Sequence, residues 1–164
     1  MPAQVQDSII YGDDSFRIIS STATILFHPD DYHMTTAPIT SLCLRGYNCE
    51  YEIQDGLLYL NDLMICTRDG KYPPLNGVSP KFNDFGALYK KIGLPVLYTG
   101  KILAGTNLIS KFFANMGTQC YYAYRKVIEF SFENGKLVRI TDQSEQAEQV
   151  RRQLAEFQHD QFRS

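Results

Sequence analysis

One arginine stands inside an apolar strand pattern, within the stretch LRGYNCEYEIQDGLLYLNDLMI, residues 44–65. The apolar residues that follow it alternate with polar ones at a period of two: Tyr47, Cys49, Tyr51 and Ile53. This alternation predicts a half-buried strand, and Arg45 shares the parity of its apolar face. An unpaired guanidinium on that face would cost several kcal/mol, so the pattern predicts a partner for Arg45.

Two interpretations of Arg45 follow from that requirement. In the first, Arg45 forms a structural ion pair, with Asp62 on the returning strand as its first candidate partner. In the second, Arg45 recognises an anion at the mouth of an aromatic pocket, since pockets commonly combine apolar walls with one charged group. The residues of such a pocket would be Arg45, Tyr47, Tyr51, Asp62, Tyr122 and Tyr124. Gly46 leaves a third outcome open, because a bulge there would break the parity and expose Arg45 to water.

The segment HPDDYH, residues 28–33, contains residue types that bind metals. Imidazole and carboxylate groups are metal ligands, so His28, Asp30 and His33 are the candidates if any metal binds. Their spacing matches no established metal motif, and Pro29 beside paired aspartates is typical of a solvated turn. We therefore expect neither a metal site nor a cofactor.

Catalytic motifs are weak throughout the chain. A cysteine or hydroxyl nucleophile needs a neighbouring base, and the chain offers only His28, His33 and His159 as imidazoles. The run TGKILAGT lacks the order of residues that wraps a phosphate in a P-loop, and no G-x-G-x-x-G occurs. A hydrolase that uses a His/Cys or metal site is accordingly the third choice, and we lean away from an enzyme.

Composition narrows the class of partner. The chain has 16 Lys and Arg against 18 Asp and Glu, so no broad basic field attracts nucleic acid. The stretch YYAYRK, residues 121–126, alternates aromatic and basic residues but is more typical of a strand. No window approaches 18 apolar residues, which predicts a cytoplasmic protein that does not enter membranes. Four cysteines without a C-x-x-C pair predict reduced, buried thiols.

Turn residues divide the chain into strands. Residues 8–27 are rich in Ile, Thr and Phe around a turn at 12–14, and Asp55-Gly56 predicts a hairpin. Asn134-Gly135 lies in a similar sequence pattern and predicts a second hairpin. There, packing favours a three-residue loop with Gly135 in a bulge, which would place Phe130 opposite Val138. Residues 66–82 contain three prolines and predict a long surface loop.

Three segments show helical periodicity. Residues 83–92 place Phe85, Leu88, Tyr89 and Ile92 at helical spacing before Gly93, which predicts a short middle helix. Residues 106–117 slightly favour a helix that ends at Gly117. The clearest helix is C-terminal, within 142–160, where Asp142 and Glu145 resemble a capping box. Its narrow stripe predicts contact with a sheet or a second subunit: Ala147, Val150, Leu154 and Phe157.

Residues 36–140 resemble a family of small bacterial β-rich proteins for which no activity is established. The resemblance rests on Arg45-Gly46-Tyr47, YEIQDGLLYLNDL, Tyr98-Thr99-Gly100-Lys101-Ile102, Met116-Gly117 and YRKVIEFSFENGKLV. Members often carry Trp before the Arg-Gly-Tyr and before the later glycine, whereas this chain has no Trp and places Leu44 and Tyr98 nearby. The resemblance implies a β-rich domain and transfers no catalytic residue.

Together these patterns predict one α+β domain spanning residues 1–164. Its sheet would be predominantly antiparallel and curled into a barrel or a sandwich, with a short middle helix and a C-terminal helix. The favoured function is a non-catalytic protein that binds a small amphipathic or anionic molecule. The alternative is a protein-interaction module, such as a bacterial immunity or accessory factor, and a homodimer is compatible with either.

Overall fold

The computed structural model describes residues 3–23, 25–114 and 119–161. Its strands are β1 (Ser8–Tyr11), β2 (Asp14–Ser21), β3 (Tyr47–Gln54), β4 (Leu57–Ile65), β5 (Lys81–Asn83), β6 (Gly86–Tyr89), β7 (Leu94–Pro95), β8 (Gly100–Leu108), β9 (Tyr124–Glu133) and β10 (Lys136–Asp142). One α-helix, α1 (Ser144–Gln161), follows the last strand, and short 3₁₀ turns cover Pro29–Tyr32, Ser110–Phe112 and Tyr121–Ala123. The predicted α+β class is therefore confirmed, with most strands antiparallel.

Seven strands form a closed ring in the order β4-β3-β1-β2-β8-β9-β10. The exception to antiparallel pairing is β1, which runs parallel to β3 while it pairs with β2 in the opposite direction. The ring closes where β10 meets β4, since Lys136 lies opposite Leu57. Leu58 N donates to Gly135 O at 2.8 Å beside that point. The sheet that could have been a barrel or a sandwich is thus a barrel.

Apolar side chains from the ring strands pack into one cluster. Its most deeply buried members include Ile9, Phe16, Tyr51, Leu60, Ile102 and Phe130, all at most 2% exposed. Because six strands each contribute one of these residues, the cluster ties the ring together. Apolar side chains from the strands therefore occupy the interior of the ring.

The first predicted hairpin is confirmed. Asp55 and Gly56 have φ values of 52° and 75°, and they join Gln54 to Leu57 as a two-residue turn. Both residues tolerate positive φ, which the favoured hairpin turns require.

The second hairpin has a different register from the one predicted. Asn134 and Gly135 form a two-residue turn, because Glu133 pairs directly with Lys136. The extra residue lies within β10, where the register shifts around Val138, so Phe130 faces Ile140. A bulge inside the strand absorbs one residue just as a longer loop would, and the sequence pattern does not distinguish the two places.

The short middle helix predicted for residues 83–92 is wrong. This part of the chain forms the hairpin β5–β6, in which Ala87 and Tyr89 are buried and flank a half-buried Leu88. Pairing of β6 with β4 places Tyr89 opposite Leu63. An isolated helix of this length is only marginally stable in water, so strand pairing prevails over the helical spacing.

The weaker helix prediction for residues 106–117 is not realised in the described part. Strand β8 extends to Leu108, which pairs with Tyr124 of β9, and one 3₁₀ turn follows at Ser110–Phe112. The predicted end at Gly117 lies outside the described residues. Pairing with β9 explains why β8 extends this far. Each pair forms hydrogen bonds with backbone N–H and C=O groups, whereas the first N–H groups of a helix would have no backbone partner.

The C-terminal helix is confirmed, and its stripe is buried or half-buried at Ala147, Val150 and Leu154 but exposed at Phe157. Asp142 Oδ1 accepts a hydrogen bond from Ser144 N at 2.8 Å, and this bonding to Ser144 lowers the pKa of Asp142. Ala147 is fully buried in a cluster with Tyr124, whereas Phe157 is 61% exposed. Burial of the stripe therefore decreases toward the C-terminal end of the helix.

Two further expectations concern burial. Cys43 and Cys49 are buried as predicted, but Cys66 is half-buried and Cys120 is exposed, so the prediction of four buried thiols is wrong for these two. Cys120 lies directly before the 3₁₀ turn Tyr121–Ala123, where its side chain is exposed. Within the described ranges, no helix is both long and apolar enough to cross a membrane.

Candidate functional site

Gly46 determines where the Arg45 side chain lies. Its φ is +84°, and strand β3 begins only at the next residue, Tyr47. A Cβ on Gly46 would lie 2.3 Å from the Ala37 carbonyl oxygen, so only glycine fits this close approach. The strand parity that predicted an inward Arg45 is therefore broken. The Arg45 guanidinium carbon instead lies 4.2 Å from the centre of the Tyr47 ring, and the side chain is 40% exposed.

The partner of Arg45 is Asp7, and the predicted pairing with Asp62 is wrong. Arg45 Nη2 donates to Asp7 Oδ1, and Nε donates to the Tyr47 carbonyl oxygen at 2.8 Å. The same Asp7 oxygen accepts from Cys49 N at 2.8 Å. Burial by itself would lower the pKa of Arg45, but the Asp7 carboxylate opposes this and the net pKa is raised. The guanidinium is thus held charged and in a defined orientation.

Asp62 belongs to a different set of contacts. It accepts from Lys90 Nζ and from Lys91 N, each at 3.1 Å. Lys90 and Lys91 follow strand β6 directly. Their position depends on the β5–β6 hairpin, which the sequence periodicity had predicted to be a helix. Asp7 lies beside β3 because β1 pairs with β3 in parallel. No local sequence pattern predicts this pairing, so sequence analysis did not identify Asp7.

A groove of about 520 Å³ lies at the rim of the ring and is lined by Arg45 and Asp7. We call it the Arg45 groove. Its other polar or aromatic lining residues include Gln6, Ser20, Ser21, Tyr47 and Tyr51. Its apolar lining includes Val5, Ile18, Ile19, Ala23, Ile25, Leu26 and Phe27. The structure therefore places Arg45, Tyr47 and Tyr51 around one opening, as the pocket interpretation required.

The other two predicted pocket tyrosines lie elsewhere. Tyr124 lines a second groove of about 760 Å³, where its hydroxyl donates to Gln6 Oε1 at 2.8 Å. Tyr122 packs edge-on against Phe112 near α1, with ring centres 6.0 Å apart. The prediction of one pocket lined by four tyrosines is therefore wrong. Strand β9, which begins at Tyr124, lies across the ring from β3 rather than beside it.

The ionisable groups beside Arg45 stay neutral near neutral pH. Burial raises the pKa of Tyr47, and burial also raises the pKa of Tyr51 well above its ordinary value. The Cys49 thiol has its pKa raised for the same reason. The charges facing this groove are consequently the paired Arg45 and Asp7, with no thiolate or phenolate nucleophile at neutral pH.

The HPDDYH segment forms the 3₁₀ turn Pro29–Tyr32, and His33 follows it with φ of 61°. His28 and Asp30 line a groove of about 600 Å³, which Arg45 also borders, but His33 does not contribute to it. Among residues 3–23, 25–114 and 119–161, no group of three or more His, Cys, Asp or Glu is placed to hold a metal ion. The geometry gives the weak metal candidates no further support.

The fold and groove define a small ring-shaped α+β protein with a filled core and a ligand-sized opening at its rim. No family model, curated protein or solved structure matches this chain. The resemblance to small bacterial β-rich proteins consequently stays a prediction.

Proposed function

We propose that this protein is a non-catalytic binding protein that holds a small amphipathic molecule in the Arg45 groove. The observation that carries the proposal is the position of Arg45, whose guanidinium is fixed at one edge of an opening with apolar walls. The volume of about 520 Å³ falls within the range of small-ligand sites, roughly 300–1,000 Å³.

The head group of the ligand would contact Arg45. A guanidinium has five N–H donors, and the contacts above engage Nε and Nη2, so Nη1 is left for an acceptor such as a carboxylate. The Tyr47 ring supports the flat face of the guanidinium, which restricts its orientation. A preorganised donor loses less side-chain entropy when a ligand binds.

Asp7 sets the kind of head group. Because its carboxylate already neutralises Arg45, a strongly charged anion would gain little net attraction in this groove. A single weak acid or a neutral acceptor attached to an apolar tail satisfies both the free donor and the apolar lining. The tail would lie against Ile18, Leu26 and Phe27, which border the same opening.

Thermal unfolding with three probes tests this proposal. Octanoate combines a carboxylate with a tail, octanol has the tail with a neutral head group, and acetate has the carboxylate alone. We expect octanoate to raise the midpoint most and acetate least, since a ligand that binds the native state stabilises it by mass action. No stabilisation by either eight-carbon probe would contradict the proposal.

Two substitutions then assign the effect to the groove. Arg45→Met should abolish the advantage of octanoate over octanol. Asp7→Asn should increase it, because the amide keeps an acceptor for Cys49 N but releases the charge of Arg45. Arg68→Met is the matched control, since Arg68 does not line the Arg45 groove. Equal shifts in all four proteins would show that the probes bind elsewhere.

A protein-interaction module is the second candidate, and one observation favours it. Four apolar side chains that line the second groove are each between 44% and 48% exposed: Val5, Leu42, Leu108 and Phe113. Clustered exposure of this kind is typical of association surfaces. The occupant we name is a second copy of the chain, and Phe113→Ser should then shift sedimentation from dimer to monomer. A monomer in the unsubstituted protein rules out self-association through this groove.

A further inference from the structure

A further cleft of about 330 Å³ lies between α1 and the segment that contains the 3₁₀ turn Ser110–Phe112. Four basic residues line it, together with one acidic residue, Glu148. We call it the basic cleft and define it by Lys111, Arg125, Arg151 and Arg152. This concentration contrasts with the whole chain, in which acidic residues outnumber basic ones by 18 to 16.

Most of the positive charge in the cleft is not neutralised. Arg152 Nη2 pairs with Glu148 at 2.9 Å, one turn earlier on α1. In the described part of the chain, no carboxylate lies within ion-pairing distance of Lys111, Arg125 or Arg151. The lining therefore carries a net charge of about three positive units, which attract and concentrate anions.

Arg151 is oriented by the fold. Its Nη1 donates to the Tyr122 carbonyl oxygen at 2.9 Å and to the Tyr124 carbonyl oxygen at 2.8 Å. These two bonds fix one nitrogen of the guanidinium against the chain that leads into β9. The remaining N–H groups of Arg151 are therefore held at the cleft before any ligand binds. A bound anion could accept hydrogen bonds from them with little loss of side-chain entropy.

We propose that the basic cleft is a binding site for a multiply charged phosphate group, distinct from the Arg45 groove. Three charges without carboxylate partners and a fixed guanidinium match the charge and the many acceptor oxygens of phosphate. Inorganic polyphosphate and the phosphate chain of a small molecule share this chemistry.

The aromatic residues beside the cleft favour this ligand over single-stranded nucleic acid. Nucleic acid of that kind needs open ring faces on which bases can stack. Lys111 Nζ lies 5.0 Å from the centre of the Phe112 ring, and the Tyr122 ring meets Phe112 edge-on. Phe112, the aromatic residue that lines the cleft, is thus already in contact with Lys111 and Tyr122, so electrostatic recognition is the main contribution of the cleft.

Calorimetric titration of the full chain with inorganic tripolyphosphate, at constant ionic strength, tests the proposal. The informative variant combines Lys111→Gln with Arg125→Gln, because both side chains are exposed and neither joins an ion pair. We expect it to bind at least about tenfold more weakly, given typical energies of charge-assisted hydrogen bonds. The control combines Lys81→Gln with Lys136→Gln, which removes the same charge from exposed positions outside the cleft.

Glu148→Gln should have the opposite effect, since it removes the single acidic residue of the lining and should strengthen tripolyphosphate binding.

Titration with adenosine triphosphate distinguishes inorganic polyphosphate from the phosphate chain of a small molecule. Tighter binding of adenosine triphosphate than of tripolyphosphate would identify a nucleoside phosphate as the ligand. Equal weakening in the control variant would overturn the proposal, as would no binding at all. So would a thymidine oligomer that binds more tightly than tripolyphosphate and depends on Lys111 and Arg125. Octanoate binding should survive in every variant of the cleft, which keeps this test independent of the Arg45 groove.

Discussion

Arg45 and Asp7 are 38 positions apart in the chain and form an ion pair at the rim of the ring. Asp7 also accepts a hydrogen bond from Cys49 N, so one carboxylate fastens the N-terminal segment to the start of β3. The segment before β1 borders the Arg45 groove and the second groove that Tyr124 lines, because Gln4, Val5 and Gln6 line each of them. The pair consequently shapes the openings as well as the local fold.

A double-mutant cycle measures this pair. Arg45→Met and Asp7→Asn should each lower the free energy of unfolding, and the double variant should lose less than the sum of the two. The pair is partly exposed, so we expect a coupling of about 1 kcal/mol, near the upper end for surface ion pairs. Urea unfolding of the four proteins gives the value. Additive losses would mean that Arg45 and Asp7 stabilise the fold independently and that their ion pair contributes nothing.

Gly46→Ala should be among the most damaging single changes in the chain. The new Cβ would approach the Ala37 carbonyl oxygen at 2.3 Å, at a residue whose φ is +84°. We expect a loss of about 3 kcal/mol, which combines the cost of positive φ with overpacking. Gly12→Ala is the control, because its φ is also positive but no atom lies within 4 Å of the added Cβ. That variant should lose only about 1 kcal/mol in urea unfolding.

The helix α1 should tolerate a change at its exposed C-terminal end far better than one at the buried Ala147. Ala147→Leu inserts a larger side chain into a fully buried site and should cost about 1–3 kcal/mol. Phe157→Ala, on the exposed part of the same stripe, should change stability by less than about 0.5 kcal/mol. Thermal unfolding compares them. A large effect of Phe157→Ala would reveal a partner that covers this end of the helix.

Thiol labelling should follow burial. Cys120 is exposed and should react first with an aromatic disulfide reagent under native conditions, followed by the half-buried Cys66. Cys43 and Cys49 should react only when the protein opens, and burial raises the pKa of Cys49, which suppresses its thiolate. Cys120→Ser should remove the fast phase completely. A fast phase that survives this substitution would place another thiol at the surface.

Stability should fall at alkaline pH. Cys49 and Tyr51 have raised pKa values in the native state because they are buried, against ordinary values of 9.0 and 10.0. Above those values the unfolded chain releases protons that the native protein retains, so the stabilisation present at lower pH is lost as pH rises. Urea unfolding at about pH 7 and about pH 10.5 measures the loss. Cys49→Ala should make the loss smaller, and an unchanged loss would assign it to other groups.

Short-range patterns in the sequence determined the turns and the helix start. Turns at Asp55-Gly56 and Asn134-Gly135 are predictable because these residue types accept positive φ, although the three-residue loop expected for the second turn is a two-residue turn. Asp142 caps α1 because its side-chain oxygen reaches a backbone N–H two residues later. Such preferences act over a few residues, so they can be predicted without knowledge of the rest of the fold. The prediction of an α+β class rests on the same local preferences.

Only the tertiary structure decided which partners meet. Asp7 replaces Asp62 beside Arg45 because β1 lies parallel to β3, a pairing between distant segments. The segment 83–92 forms a hairpin because β4 offers a free edge, although its own spacing suits a helix. The bulge at Val138 sets the register of β10, which pairs with β9 and closes the ring on β4. In each case long-range pairing outweighs local preference, because the backbone hydrogen bonds and buried area that it supplies exceed the small differences in propensity.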